Sequence, residues 1–239
     1  MLARTLGDLA GNVTGDTPMP RWPLCFRFAA LILFVLGAAG EAGAERLRAS
    51  YGPIPDEVWS AMQGRSWRAE LPCPARGDLA LLRVPYLDFD GRAQTGSLIV
   101  ARGVAAKIAA AFQEIYESGR FRIYRMELID AYDGDDDRSM AANNTSGFNC
   151  RLTDRGALSR HALGLAVDVN PVQNPYRDAK GTAPDAGRAY DDPGERRSEV
   201  AGLIVDGGVV TRAFARQGWR WGGRWRHSVD YQHFSADGR

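Results

Sequence analysis

The chain has 239 residues, a formal net charge of +1, 45% hydrophobic and 25% charged side chains. That is the composition of an ordinary globular protein, long enough for one generous domain or two small ones. A balance this close to neutral excludes a mainly electrostatic grip on nucleic acid or on an anionic membrane.

Residues 1–44 read as a secretory signal peptide. Arg21 and Arg27 precede an apolar run from Phe28 to Gly40, and Ala42-Gly43-Ala44 follows as a small-x-small cleavage signal. The run is 13 residues long, well short of the ~20 that span a bilayer. No stable membrane span is expected once it is removed. Met19 offers a more usual start than Met1, and Cys25 precedes the apolar run, where a lipoprotein cysteine would follow it. Cleavage after Ala44 leaves residues 45–239, read as a single domain whose motif-bearing core begins near residue 120. Two cysteines remain, Cys73 and Cys150. An even pair in an exported chain points to a disulfide, stabilising by roughly 4 kcal/mol in the chain-entropy picture.

Residues 45–76 read as irregular, with a short helix at Asp56 to Met62 started by Pro55 and Asp56. Leu79 to Tyr86 and Ser97 to Val100 have strand character around the turn Asp88-Phe89-Asp90-Gly91. Val104 to Glu117 carries Val104, Ile108, Ala111, Phe112, Ile115 and Tyr116 on one stripe and predicts a helix ending at Gly119. Phe121 to Ala131 alternates and predicts a strand. The acidic run Asp133 to Asp137 lacks the ligand spacing of a calcium loop and reads as solvated. Asn143-Asn144-Thr145 fits a glycosylation sequon, an unspecific match inside a polar loop. Leu165 to Val169 predicts a short strand bearing Asp168, and Pro171 to Gly194 a long surface loop of the kind that often acts as a lid. Leu203 to Val205 and Val209-Val210 flank Gly207-Gly208 and suggest a hairpin; Val210 to Gln217 suggests a helix. Trp219 is assigned to core. Trp221 and Trp225 are left open for stacking on sugar or peptide.

The chemistry concentrates in the last third, which holds all three histidines: His161, His227 and His233. His161 and Asp168 are seven residues apart, too far for comfortable convergence on one continuous helix. Gly164 lets the chain turn between them. A carboxylate flanked by valines is costly to bury unpartnered, and a metal would supply the partner. By itself, a hydrogen-bonded Asp beside an ordinary loop His is the preferred explanation of the pair. Asp230 and His233, three apart, shift the balance. His161, Asp168 and His233 make a two-histidine, one-carboxylate set with an open position, the pattern of a catalytic zinc site. Asp230 would sit beside the metal as base, and Arg151 is a candidate to stabilise an oxyanion. His227, in an arginine-rich turn, reads as a surface residue.

The pattern Ser159-x-His161-x-x-Gly164-x-Ala166-x-Asp168, then Trp219-x-Trp221-Gly222-Gly223 and Asp230-x-x-His233-Phe234, resembles the D-alanyl-D-alanine carboxypeptidase and L-alanyl-D-glutamate endopeptidase family of zinc peptidases. That family includes vancomycin-resistance peptidases and phage endolysins and shares its fold with the hedgehog signalling domain. The resemblance implies an α+β fold, a small antiparallel sheet with helices on one side. It implies one zinc ion on His161, Asp168 and His233, a catalytic base at Asp230, Arg151 polarising the substrate carbonyl, and Ser159 contacting substrate. From the tryptophan cluster, Trp221 is the further substrate-binding candidate. Peptidoglycan stem peptides are the implied substrate, in the periplasm or outside the cell. Aspartate rather than glutamate at 230 favours the endopeptidase branch. Two rival readings remain: a non-catalytic zinc-containing binding module of the same fold, and a zinc amidase cutting glycan from peptide.

Overall fold

The computed structural model describes residues 47–153 and 155–238; the signal-peptide reading, with Cys25 and the choice of start, lies outside the described residues. Strands β1 (Ser50–Gly52), β2 (Leu79–Leu87) and β3 (Ala93–Ala101) form an antiparallel sheet in that order. β2 and β3 pair without interruption from Leu79↔Ala101 to Leu87↔Ala93, so β3 starts four residues before the Ser97 expected from sequence. The turn between them forms where it is predicted, with Asp88 Oδ1 accepting from the backbone N–H groups of Asp90 and Arg92 (3.0 and 2.8 Å).

Both faces of this sheet are covered, which explains the unbroken apolar run Leu79-Ala80-Leu81-Leu82. Ala80, Leu82 and Val84 enter the main core. Leu79 and Leu81, of opposite parity, join a second cluster with Ile54, Met62, Ile99, Phe148, Cys150 and Ala162. Helix α1 (Asp56–Met62) borders that second cluster with Met62 and the flanking Val58 and Trp59. Cys73 and Cys150 are joined by a disulfide with Cα atoms 5.9 Å apart, as the even count suggested.

The main core lies beneath helix α2 (Ala105–Glu117), which buries Ile108, Ala111, Phe112 and Ile115. A second sheet reaches the same core. It comprises β4 (Ala166–Asp168), β7 (Arg220–Trp221) and β9 (His233–Ser235), all antiparallel in the order β4-β9-β7. Helix α4 (Val209–Arg216) joins the layers through its aromatic. The Phe214 ring stacks on Phe234 of β9 at 4.3 Å and meets Phe112 of α2 edge-on at 5.7 Å. A third sheet, in the order β6-β5-β8, is made by β5 (Tyr176–Asp178), β6 (Gly181–Ala183) and β8 (Val229–Asp230). The α+β class holds, but three small antiparallel sheets stand where one was expected.

Four local expectations change. Residues 121–131 are not a ladder strand: only Arg125 bridges, to Asn144, and Ile129–Tyr132 is a 3-10 turn. Asparagine side chains supply two of the backbone partners a neighbouring strand would have given, and Leu87 carbonyl and Ser97 N–H supply single bonds to Ile123 and Met126. Asn170 Oδ1 accepts from Tyr124 N–H (2.9 Å) and Asn144 Oδ1 from Glu127 N–H (2.8 Å). The acidic run leads into a helix, α3 (Asp136–Ala141), capped by Asp135 accepting from Arg138 N–H at 3.0 Å. No hairpin forms at Gly207-Gly208: Val209 opens α4, because Val210, Ala213 and Phe214 make a helical stripe that reaches the core. The long loop after Pro171 folds into the β5–β6 hairpin, and β5 pairs with β8. Asn143, Asn144 and Thr145 of the sequon are all buried, which leaves no room for a glycan in the folded chain.

Candidate metal centre

Two of the three presumed ligands face each other across one strand pair. Asp168 on β4 is the direct antiparallel partner of His233 on β9, which puts both side chains on the same face of the sheet. The hydrophobic neighbours Val167 and Phe234, also paired, point to the opposite face and lie in the core. Alternation along two short strands thus separates packing from chemistry.

His161 arrives from a tight 3-10 turn, His161–Leu163. Ser159 Oγ accepts from Ala162 N–H at 2.9 Å and starts the turn. Gly164 ends it in the left-handed conformation (φ +66°), and its carbonyl accepts from Ala101 N–H at 2.9 Å, docking the turn on β3. A Cβ at Gly164 would fall 2.3 Å from the Ala101 nitrogen. Gly164→Ala is therefore expected to destabilise by at least about 1–2 kcal/mol from the left-handed conformation alone, with further cost from the clash. Urea unfolding checks the stability, and a metal titration of the folded fraction is expected to show weakened binding.

The donor atoms converge. His161 Nε2 lies 3.2 Å from Asp168 Oδ2 and 3.3 Å from His233 Nδ1; His233 Nδ1 lies 3.0 Å from Asp168 Oδ1. Both histidines are 6% exposed. Gly147 carbonyl, 2.7 Å from His161 Nδ1, can only accept, so that nitrogen carries a proton and Nε2 is the one left to offer its lone pair when a cation takes the place of its own proton. Burial works against ionisation of Asp168, yet the charges and hydrogen bonds of His161 and His233 outweigh it and hold the carboxyl well below the usual range.

These residues fit a divalent cation. Bonds of ~2.1 Å place tetrahedral ligand atoms ~3.4 Å apart, close to the separations seen between the three residues. Two imidazole nitrogens and a carboxylate, facing one another in a dry site, are a donor set that zinc accepts.

Asp230 ends β8 and connects to His233 by the tight turn Tyr231-Gln232, so the two residues sit on different sheets. Its Oδ1 is fully shielded with no hydrogen-bond partner among the described residues. Burial, and then the negative charge of Asp168, push the carboxyl up to about 7, while the two histidines pull the other way. A carboxyl titrating near neutrality beside a metal-type cluster is suited to carrying a proton back and forth.

The other residues read from sequence have different surroundings. Arg151 is ion-paired with Asp136 at the start of α3, which also accepts from Asn149 Nδ2 at 2.8 Å. Ser159 is buried, with its hydroxyl engaged in the turn that presents His161. Trp221 is half-buried, and its indole N–H donates to Tyr231 carbonyl at 2.8 Å. His227 is exposed. Trp219 is in the core. Trp225, left open in the sequence, packs its ring 5.3 Å from that of His233; indoles at alternating positions gave no way to choose among them. One contributor has no signal in the sequence. Gly147 acts through its backbone carbonyl, which no residue type announces.

Residues 153–236 match a family model described as D-alanyl-D-alanine carboxypeptidase. The match spans about a third of the chain, includes His161, Asp168, Asp230 and His233, and begins just after Arg151. No curated protein and no solved structure matches the chain. The convergent His-Asp-His cluster lies inside the matched segment, as a metallopeptidase requires. The resemblance carried by the motifs is thereby supported: residues 153–236 resemble the D-alanyl-D-alanine carboxypeptidase family of zinc peptidases.

Proposed function

We propose that this protein is an exported zinc peptidase acting on peptidoglycan stem peptides, with the hedgehog and D,D-peptidase type of fold. The observation that carries the reading is Asp230: a shielded carboxylate, unpartnered at Oδ1 and poised near neutral pH, next to three convergent metal-type donors. His161, Asp168 and His233 would hold the zinc ion, which supplies a Lewis acid for the scissile carbonyl and for water. Asp230 takes a proton from the attacking water and returns it to the leaving amine. Gly147 carbonyl keeps the His161 ring in the tautomer that offers Nε2. Arg151 reaches a substrate carbonyl only by giving up Asp136. Trp225 shields one side of His233 from water.

Aspartate at 230 favours the L-alanyl-D-glutamate endopeptidase reading over the D,D-carboxypeptidase one. Export is supported by the Cys73–Cys150 disulfide, a bond that persists in oxidising compartments outside the cytosol. A non-catalytic module has no use for a shielded carboxyl oxygen left without a hydrogen-bond partner beside the cluster. Digestion of purified peptidoglycan by the protein, with and without chelator, tests the proposal by mass spectrometry of the products. Chelator-sensitive release of the peptide beyond the first alanine is the expected result; loss of terminal D-alanine would make it a carboxypeptidase. Zinc bound with no chelator-sensitive product would sink the peptidase reading.

A further inference from the structure

Arg196 is a largely buried cation with no acidic partner among the described residues. Burial lowers its pKa to about 10, so it stays charged at neutral pH. Its two terminal nitrogens are filled by neutral acceptors from three separate stretches of chain, while Nε is buried with no hydrogen-bond partner among the described residues. Nη1 donates to the carbonyls of Tyr190 (2.8 Å) and Gln173 (3.3 Å); Nη2 donates to Asn174 Oδ1 (2.8 Å) and to Ile204 carbonyl (2.9 Å). The guanidinium carbon lies 3.8 Å above the centre of the Tyr231 ring. Desolvation strengthens such a cation–ring contact, and a planar, rigid guanidinium makes it directional.

Tyr231 is the residue between Asp230 and Gln232-His233. It is 5% exposed. Its N–H donates to Pro175 carbonyl at 3.2 Å, and its carbonyl accepts from Trp221 Nε1 at 2.8 Å. The short turn that carries both the base and a ligand is therefore held by its backbone on two sides and by its ring from Arg196. Gln232, the other residue of the turn, is held by its carbonyl accepting from Val169 N–H at 3.0 Å and by its Nε2 reaching Met140 Sδ at 3.4 Å; the Arg196 stack is the contact made to the Tyr231 ring by a cation.

We propose that Arg196 is a positioning residue of the metal centre: by stacking on Tyr231 it fixes the turn that aims Asp230 and His233. The kinetic arm of this inference rests on the proposed peptidase function; the metal arm does not. A simple staple of the loop would affect only stability, so the test reads the metal environment directly.

The full-length protein is loaded with cobalt in place of zinc, and the visible absorption of the metal is recorded alongside turnover. Arg196→Met is expected to change the cobalt spectrum and to lower kcat by about 10–100-fold, the usual effect of losing an outer support of a metal site, with KM little changed. Tyr231→Phe, which keeps the ring, is expected to resemble wild type. Tyr231→Leu is expected to reproduce Arg196→Met, and the double variant to be no worse than either single one, because both remove the same contact. Arg196→Lys keeps the charge without the planar stack and is expected to restore little; it also decides the matter by its spectrum if Arg196→Met does not fold. An unchanged cobalt spectrum in a folded Arg196 variant, or losses that add in the double variant, would overturn the proposal. Inactive wild-type protein would defeat the peptidase reading and leave the cobalt result standing.

Discussion

Asp230→Ala is expected to reduce peptidoglycan cleavage by about 10²–10⁴-fold, the range over which a positioned acid–base group acts, while metal content by elemental analysis stays at the wild-type level. The separation of these two readouts follows from geometry. Asp230 belongs to β8 and the third sheet, whereas the three convergent donors come from β4, β9 and the turn at His161. Removing its carboxyl takes nothing from the donor set. Asp230→Asn is expected to be nearly as inactive, since an amide keeps the shape and cannot take a proton. The pH dependence has a definite sign. The base works when ionised, so activity rises with pH through the Asp230 pKa. That pKa is pushed up to about 7 by burial and by Asp168 in the metal-free protein. A cation held at the cluster favours the ionised carboxylate, so the acid limb of the rate profile is expected below 7. An Asp230→Ala variant retaining full activity would remove the base from the mechanism.

Chelation is expected to abolish turnover and, independently, to invert the response of stability to pH. With metal bound in excess, the folded state gains about 2.7 kcal/mol at a hundredfold excess over Kd. Acidification removes that gain, because the histidines must be neutral to bind. Tm of the loaded protein should therefore fall from pH 7.5 to pH 5. In the chelated protein Asp230 has the opposite influence. Its folded pKa of about 7 lies above the ordinary value of 3.8, so the folded state binds the extra proton between those values. Its contribution to stability grows as pH falls from about 7 toward about 4 and is lost on the way back up. Asp168, held low by its histidine neighbours, contributes stability that is lost only in stronger acid. Differential scanning calorimetry of chelated wild type against chelated Asp230→Asn isolates the effect. The wild type should gain more Tm on acidification than the variant; equal slopes would show that Asp230 is not the perturbed group.

Sequence pattern revealed those parts of the fold in which one periodicity acts alone. α1 and α2 are legible because their start signals and apolar stripe have no competitor, and Leu79 to Tyr86 because a run of branched and leucine side chains ends in an Asp-Gly turn. Residues 121–131 are not legible, since their alternation is real but their hydrogen bonds are scattered over the Asn144 and Asn170 side chains and single backbone groups of Leu87, Ser97 and Thr145. The Gly207-Gly208 pair misleads for a related reason: a glycine at a hairpin and a glycine before a helix look alike until the next turn of α4 finds the core. At the site, His161, Asp168, Asp230 and His233 are legible as residue types in order. The partners that decide their roles are less so. Arg151 is paired with Asp136 across the fold, and nothing in the local sequence reports that.

Gly147 shows what such a site hides from genetics. The group that orients His161 is a peptide carbonyl, present whatever side chain residue 147 bears. Its position depends on bare contact with β3, where a Cβ would come within 2.5 Å of Ile99 carbonyl oxygen. Alanine scanning reads a residue by what its side chain loses, and here there is no side chain to lose. A defect at position 147 would look like a packing fault, although it reaches His161 through the backbone. The heritable information for one of the cluster's hydrogen bonds is therefore written as an absence of atoms, and drift at Ile99 or its strand neighbours would move the His161 ring without touching any residue of the His-Asp-His pattern.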